Sequence, residues 1–199
     1  MIKYGFECEY FCFRKGVPVL IPSPGLPHDE CGYLAECRGE PHTDPLKAAY
    51  LFLAEEEKLH TQARGYKVTL RKLPYLQLSK EFERQALRTF GKPRVTGERG
   101  NMYGKDYDPS STIARAGLHI HFSNTVVVKE RDRTIQEVPG ILDMPRIIRT
   151  LDKRFAKEIE AAQRVPGFYE MKAHGFEYRS LPANIDAPRV GQVLADLHL

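Results

Sequence analysis

The sequence predicts an α+β fold in which one sheet carries helices on one of its faces. Three observations lead to this prediction. A segment near the start is rich in Phe, Tyr and Cys, long segments have apolar residues at helical spacing, and the strand-like segments come in groups. At 199 residues the chain suits one domain, so we treat residues 1–199 as a single unit.

The first half of the chain predicts several strands and two helices. Asp44 and Pro45 have the residue types of an N-cap and a first helical position, and Gly65 and Gly91 are typical helix ends. In order, we expect a strand over 3–14, a turn around Gly16 and the prolines of 18–27, a strand over 33–38, a helix over 45–64, β structure over 67–78 and a helix over 80–90.

The second half begins with a segment, 91–110, that predicts an irregular surface loop because glycines recur in it. Loops of this length in compact domains are usually functional or mobile. We then expect a strand over 112–123 with a further pairing over 125–138, a helix over 144–164 ended by Pro166 and Gly167, a strand over 175–181 and a helix over 188–198.

Composition excludes some classes of function. The longest apolar run, Ala48 to Ala54, is seven residues, and a membrane-spanning helix needs about 20. The first residues lack a signal-peptide pattern, so we expect the cytoplasm, or a host cytoplasm if the chain is viral. The formal charge of +4 is too small to predict nucleic-acid binding by itself.

The four cysteines all lie in the first fifth of the chain, at positions 8, 12, 31 and 37. No C-x-x-C pair is present, which disfavours a zinc site, and a cytosolic setting disfavours a disulfide. Cys8 and Cys12 fall on one face of the first strand. We therefore interpret them as small buried hydrophobes.

Polar and ionisable residues occupy i, i+2 positions on four predicted strands, and such positions share a face of a sheet. A solvated face would show the same alternation, but it would favour Lys, Thr, Ser and Gln over carboxylates. The four pairs are Glu7 and Glu9, Glu36 and Arg38, His119 and His121, and Glu177 and Arg179.

This combination of residue types predicts a metal and phosphate site on the open face of the sheet. Neighbouring carboxylates repel unless a cation neutralises them, and oxygen-rich sites with an imidazole suit Mg²⁺ or Mn²⁺. Arginines grip phosphate with two hydrogen bonds. No G-x4-G-K-[ST] loop is present, so any use of ATP cannot depend on a P-loop.

Four motifs together resemble the glutamine synthetase-like carboxylate–amine ligases, most closely the compact phage-type branch. They are Gly5 to Tyr10 (G-x-E-x-E), Asp29 to Arg38, Ala116 to Ser123 (G-x-H-x-H-x-S) and Phe176 to Pro182 (E-x-R with a following proline). The resemblance implies a curved, mainly antiparallel sheet with a concave catalytic face. It also implies an ATP- and Mg²⁺-dependent reaction that joins a carboxylate to an amine through an acyl phosphate.

The resemblance also implies roles for individual residues. The metal ligands would be Glu7, His119 and Glu177 for one ion, and Glu9, Glu36 and Asp29 for a second. Arg179 would stabilise the transferring phosphoryl group, and His121 and Ser123 would join it in contacting the nucleotide or substrate. Arg38 would bind the substrate carboxylate or phosphate.

Two alternatives to a ligase remain open at this stage. The His-x-His strand also suits a metal-dependent hydrolase or a cupin-like enzyme, for which His174 offers a third imidazole, and a non-catalytic nucleotide-binding module is the other. The expected partners are small-molecule or peptide carboxylates and amines, with no membrane. A solvated face explains the basic spots better than nucleic-acid binding does, although a nucleic-acid acceptor stays open. The sequence does not decide the oligomeric state.

Overall fold

The structure is a computed structural model, and it describes residues 2–22, 25–29, 32–91, 98–105, 113–129, 135–139 and 142–197. Several predictions concern residues outside these ranges. They are the prediction for Cys31, the part of the loop predicted over 91–110 that includes Gly97 and residues 106–109, and the part of the pairing predicted over 125–138 that covers residues 130–134. Side chains of residues 125–129 and 135–139 are likewise outside the description, although their backbone forms strands.

Eleven strands and five helices make up the described parts of the chain. The strands are β1 (Ile2–Arg14), β2 (Val17–Pro18), β3 (Leu34–Arg38), β4 (Thr69–Arg71), β5 (Tyr75–Gln77), β6 (Glu98–Asn101), β7 (Ile113–Arg115), β8 (Gly117–Lys129), β9 (Ile135–Pro139), β10 (Phe168–Lys172) and β11 (Gly175–Pro182). The helices are α1 (Pro45–Gly65), α2 (Lys80–Phe90), α3 (Met144–Arg154), α4 (Ala156–Ala161) and α5 (Ala187–Ala195).

The strands form a curled, mostly antiparallel half-barrel, which confirms the predicted α+β class. Its central order is β2-β1-β8-β11-β10-β6, with β3 and β4 also paired to β1 and β9 paired to β8. A separate two-stranded sheet joins β5 to β7. The more specific expectation, a ligase-type catalytic domain, stays a prediction.

Strand β1 is the centre of this sheet because it pairs with four other strands. Phe6, Cys8 and Tyr10 point to the core side, where α1 packs, and they are almost completely buried. Close approach of the helix is possible because Gly39 lies against the backbone of Phe52, where a Cβ atom would come within 2.7 Å of the Phe52 Cα. Burial of the two cysteines Cys8 and Cys12 is thus confirmed, and Cys37 is buried as well.

The caps predicted for α1 are present in the structure. The Asp44 side chain accepts hydrogen bonds from the backbone N–H groups of Leu46 at 2.8 Å and Lys47 at 3.1 Å, and Pro45 follows it at the first helical position. No helix in the described ranges combines the length and apolar character needed to cross a membrane.

Three predicted boundaries were wrong, whereas the β structure predicted over 67–78 is confirmed, although it divides into two strands. The helix expected over 144–164 divides at Phe155, whose non-helical backbone (φ −117°, ψ 21°) ends α3 while its ring is fully buried. The strand expected over 112–123 divides at Ala116, whose N–H bonds to Pro74 and whose carbonyl accepts from Ala183. The β segment over 67–78 forms two strands in different sheets, and the last helix is Ala187–Ala195.

Two strands were missed. The expected loop over 91–110 contains β6, and the stretch after Pro166 and Gly167 forms β10. Strand β6 has the sequence Glu-Arg-Gly-Asn, which has no apolar alternation; it is a strand because β10 supplies its pairing partner.

Candidate functional site

Strand register brings the predicted polar pairs onto one face of the half-barrel. Directly paired residues in an antiparallel sheet lie on the same face. Glu7 pairs with His119 on one side and with Arg38 on the other, and Glu177 pairs with His121. We call this surface the acidic face; its carboxylates are Glu7, Glu9, Glu36, Glu170 and Glu177.

Three residues of the acidic face could hold a metal ion. Glu7, His121 and Glu177 each offer one ligand atom, and these atoms all lie within 4.8 Å of one another. Glu7 and Glu177 are 5% and 1% exposed, so the carboxylates are fixed within the fold and the half-buried imidazole is their more accessible partner. Two carboxylates and an imidazole are a ligand set that suits divalent cations such as Mn²⁺.

His119 lies against the same carboxylates. Its Nδ1 is 3.2 Å from Glu7 Oε1 and 3.0 Å from Glu177 Oε1, and its Nε2 is 3.7 Å from Glu9 Oε2. The resemblance places His119 in the first metal set and His121 outside it, whereas the structure brings both imidazoles to these carboxylates and groups His121 with them.

Protonation of the acidic face follows from these contacts. Burial and the charge of Arg179 lower the pKa of His119, but the surrounding carboxylates outweigh them and raise it to about 9. Burial raises the pKa of Glu7 and Glu177, and hydrogen bonds from the histidines hold both well below the usual range. Without a metal, His119 therefore carries a proton at neutral pH, and metal binding through this ring requires its release.

Glu9 lies two residues beyond Glu7 on β1, and it pairs directly with Glu36 on β3. Glu9 Oε2 accepts the backbone N–H of Gly117 at 2.7 Å. Burial, followed by the charge of Glu7, raises the pKa of Glu36 to about 7. Asp29, the third ligand expected for a second metal, lies on the loop before β3, where its Oδ1 accepts the N–H groups of Gly32 at 3.0 Å and Leu34 at 3.3 Å.

The two predicted arginines both contact the metal-capable group. Arg38 Nε is 2.8 Å from Glu7 Oε2, and its guanidinium also pairs with Glu36, yet its side chain is 71% exposed. Arg179 pairs closely with Glu177. Ser123 lies two residues beyond His121 on β8 and shares its face, at the edge of the group.

Sequence reasoning missed three site residues because it missed their strands. Glu170, on β10, is 1% exposed and pairs directly with Glu177 and Arg99. Arg99 Nε lies 2.8 Å from Glu170 Oε2, and Lys172 Nζ bridges Glu170 Oε1 at 2.6 Å and Glu177 Oε2 at 2.9 Å. The i, i+2 pair Glu170 and Lys172 was the available signal.

Charges on the acidic face nearly cancel without a metal. Five carboxylates face the four cations Arg38, Arg99, Lys172 and Arg179, and protonated His119 supplies the fifth positive charge. A metal ion would therefore displace a proton or a basic side chain. Basic side chains released in this way would be available to an anionic ligand.

A β-bulge places Arg179 at the site. Register shifts between Tyr178 and Leu181, so Arg179 and Ser180 together span the position opposite His119. Arg164 stabilises this bulge: its Nε donates to the Ser180 carbonyl at 3.1 Å and its Nη2 donates to the Arg179 carbonyl.

An open cavity of about 590 Å³ adjoins the acidic face beside β3 and α1. Glu36 and Arg38 form one wall, and Lys58, Leu59 and Gln62 of α1 form another. Its volume is in the range of small-molecule sites, so a substrate has room next to Arg38.

A scan of protein-family models and searches of curated proteins and of solved structures each found no match to this chain. The function must therefore be inferred from the chemistry of the acidic face.

Proposed function

We propose that this protein is a metal- and ATP-dependent ligase that joins a carboxylate to an amine through an acyl phosphate. The observation that carries the proposal is the metal-capable group of Glu7, His121 and Glu177 with Arg38 and Arg179 in direct contact. Such a site can bring anionic groups together, which is the main difficulty in transferring a phosphoryl group to a carboxylate.

The ligands of the ion would be Glu7, His121 and Glu177, joined by His119 once it loses its proton, and Glu9 and Glu36 would hold a second ion. Mg²⁺ or Mn²⁺ bound there would neutralise phosphate charge during transfer. The fit rests on the donor set: ligand atoms of two buried carboxylates and one half-buried imidazole lie within 4.8 Å of one another, and carboxylate and imidazole ligands suit such ions.

The protein's own side chains would orient the two anions. Arg179 is held by the bulge next to Glu177 and would contact the transferring phosphoryl group. Arg38, with its exposed guanidinium, would bind a carboxylate entering from the neighbouring cavity. Ser123, two residues beyond the metal ligand His121 on β8, would contact the nucleotide.

The reaction balances in two steps. A carboxylate oxygen attacks the γ-phosphorus of ATP, the bond to the β-phosphate oxygen breaks, and ADP leaves. The amine nitrogen then attacks the acyl carbon, inorganic phosphate leaves, and the amine proton passes to solvent or a nearby base. Each turnover therefore releases one ADP and one phosphate.

The test combines catalysis with metal binding. Protein would be incubated with ATP, Mn²⁺ or Mg²⁺ and a panel of carboxylates and amines, and ADP release would be measured. Mn²⁺ binding would be measured separately by calorimetry. We expect Glu7→Gln and Glu177→Gln each to lose ADP release and Mn²⁺ binding. The control Glu57→Gln, at an exposed position on α1, should keep ADP release and Mn²⁺ binding. ADP release that persists undiminished in both site variants would overturn the assignment.

A metal-dependent hydrolase is the second candidate, because both His119 and His121 approach the same carboxylates, as hydrolytic metal sites often require. Metal-dependent ester or amide cleavage without ADP formation would favour it over the ligase. ATP binding without turnover for any substrate pair would favour a nucleotide-binding module. The cupin-like variant requires His174 as a ligand, and that residue lies exposed in the turn between β10 and β11.

A further inference from the structure

A second cavity lies on the helix side of the sheet. Its volume is about 710 Å³, and α3, α4 and the turn after β6 form its walls. Tyr178, whose hydroxyl bonds to Asp152 at this cavity, points away from the acidic face, since its neighbours Glu177 and Arg179 point toward it. The cavity therefore lies mainly on the helix side of the sheet, and Arg164 is the lining residue that comes nearest to His119 of the acidic face.

The floor of this cavity is apolar. Ile159 is 2% exposed, and Ala156, Pro166 and the ring of Tyr103 complete the surface. The volume and the apolar lining are those of pockets that hold small organic molecules. The ring of Tyr103 is held in place because its hydroxyl donates to Asp152 Oδ2 at 2.9 Å.

The rim of the cavity is mainly basic. Lys105, Arg149, Lys153 and Arg164 supply four positive charges, and Asp152 and Glu160 supply two negative ones. Arg149 and Lys153 are four residues apart on α3 and therefore lie on the same side of the helix.

The two carboxylates cancel only half of this positive charge. Asp152 already accepts hydrogen bonds from Tyr178 at 2.7 Å, Tyr103 at 2.9 Å and the N–H of Gly167 at 3.1 Å. An excess of two positive charges remains around an apolar floor.

We propose that this cavity binds an organic anion with an apolar body, at a site separate from the acidic face. The apolar body would cover Ala156, Ile159 and the Tyr103 ring, and the anionic group would lie between Arg149 and Lys153. The proposal is independent of the ligase assignment, because none of these residues belongs to the acidic face.

The test uses 8-anilinonaphthalene-1-sulfonate as the probe and its fluorescence as the measurement, with neutral N-phenyl-1-naphthylamine for comparison. We expect saturable binding of one sulfonate per chain and weaker binding of the neutral compound. The double variant Arg149→Gln/Lys153→Gln should weaken sulfonate binding at least about fivefold. The matched control Arg146→Gln/Arg154→Gln removes the same charge from α3 outside the cavity and should change it less than about twofold.

Ala156→Trp fills the cavity from an exposed helix position, so we expect it to abolish probe binding while the unfolding midpoint is retained. The proposal is wrong if the sulfonate does not bind, if it binds the folded Ala156→Trp variant unchanged, or if the two charge variants weaken binding equally. Since the charge variants alter exposed side chains, they decide the matter even if the tryptophan variant fails to fold.

Discussion

Two core tyrosines, Tyr10 and Tyr178, allow the same substitution to be compared with and without a hydrogen bond. Both side chains are fully buried on the core side of the sheet. The Tyr178 hydroxyl donates to Asp152 Oδ1 at 2.7 Å. The Tyr10 hydroxyl has no hydrogen-bond partner among the described residues apart from a weak interaction with the Cys8 thiol. Changing Tyr178 to Phe should therefore lower the free energy of unfolding, whereas changing Tyr10 to Phe should leave it unchanged or raise it.

The size of the difference follows from these contacts. A hydrogen bond to a charged group contributes about 1.5–3 kcal/mol, so Tyr178→Phe should lower the free energy of unfolding by about that amount. Tyr10→Phe removes a poorly paired buried hydroxyl, so the change should lie between zero and a gain of about 1 kcal/mol. The melting temperatures of the two variants should differ by roughly 3–16 °C, because each kcal/mol shifts a domain of this size by about 2–4 °C.

Urea denaturation of wild type and both variants would measure these free energies, provided that the dependence on urea concentration stays unchanged. A double-mutant cycle with Asp152→Asn would assign the effect to the bond itself, because Tyr178→Phe should then be less destabilising. If the two Tyr-to-Phe variants agree within about 0.5 kcal/mol, the inference that this hydrogen bond stabilises the core is refuted.

Three further outcomes are expected. The pKa of His119 is raised from 6.5 to about 9, so the stability that protonated His119 contributes is complete below pH 6.5 and is lost as pH rises through 9. In EDTA the free energy of unfolding should therefore fall by an amount on the order of 3 kcal/mol between these pH values. His119→Gln should remove this pH dependence. Cys31→Ser protein contains only the buried thiols of Cys8, Cys12 and Cys37, all of which have raised pKa values. These thiols should react with a thiol reagent at pH 8 only when the protein unfolds, and rapid reaction of the folded protein would contradict this. Gly175→Ala should lower the free energy of unfolding measured in urea by more than about 1 kcal/mol, since its Cβ would overlap the Phe122 carbonyl oxygen, whereas Gly65→Ala meets no atom within 4 Å and should not.

Local patterns made much of the acidic face predictable. Side-chain alternation along a strand depends only on neighbouring residues, so Glu7, His119 and Glu177 could each be placed on one face before any pairing was known. The cap at Asp44 was predictable for the same reason, because the side chain bonds to N–H groups two and three residues away.

Features that depend on pairing between distant segments were not predictable. Arg99 reaches Glu170 only because β6 pairs with β10, 71 residues apart in the chain, and β6 has no strand pattern of its own. The hydrogen bonds that Asp152 accepts from Tyr178 and Tyr103, and those that Arg164 donates to the β11 carbonyls, depend likewise on where α3 and α4 lie against β11. The sequence also could not show that Asp29 turns its Oδ1 toward the backbone of its own loop.

The bulge in β11 makes the length of that strand as important as its residues. Strict alternation would turn Leu181, two residues after Arg179, toward the acidic face, but the bulge that Arg179 and Ser180 form opposite His119 returns it to the core, opposite Leu118. Deleting Ser180 would remove the bulge and leave Leu181 in the core, but Arg164 Nε and the Phe168 N–H would lose the carbonyl and the hydroxyl to which they donate, so the support of the strand around Arg179 would be lost. A search for relatives of this chain should therefore weigh the spacing after the Glu177–Arg179 pair as heavily as the pair itself.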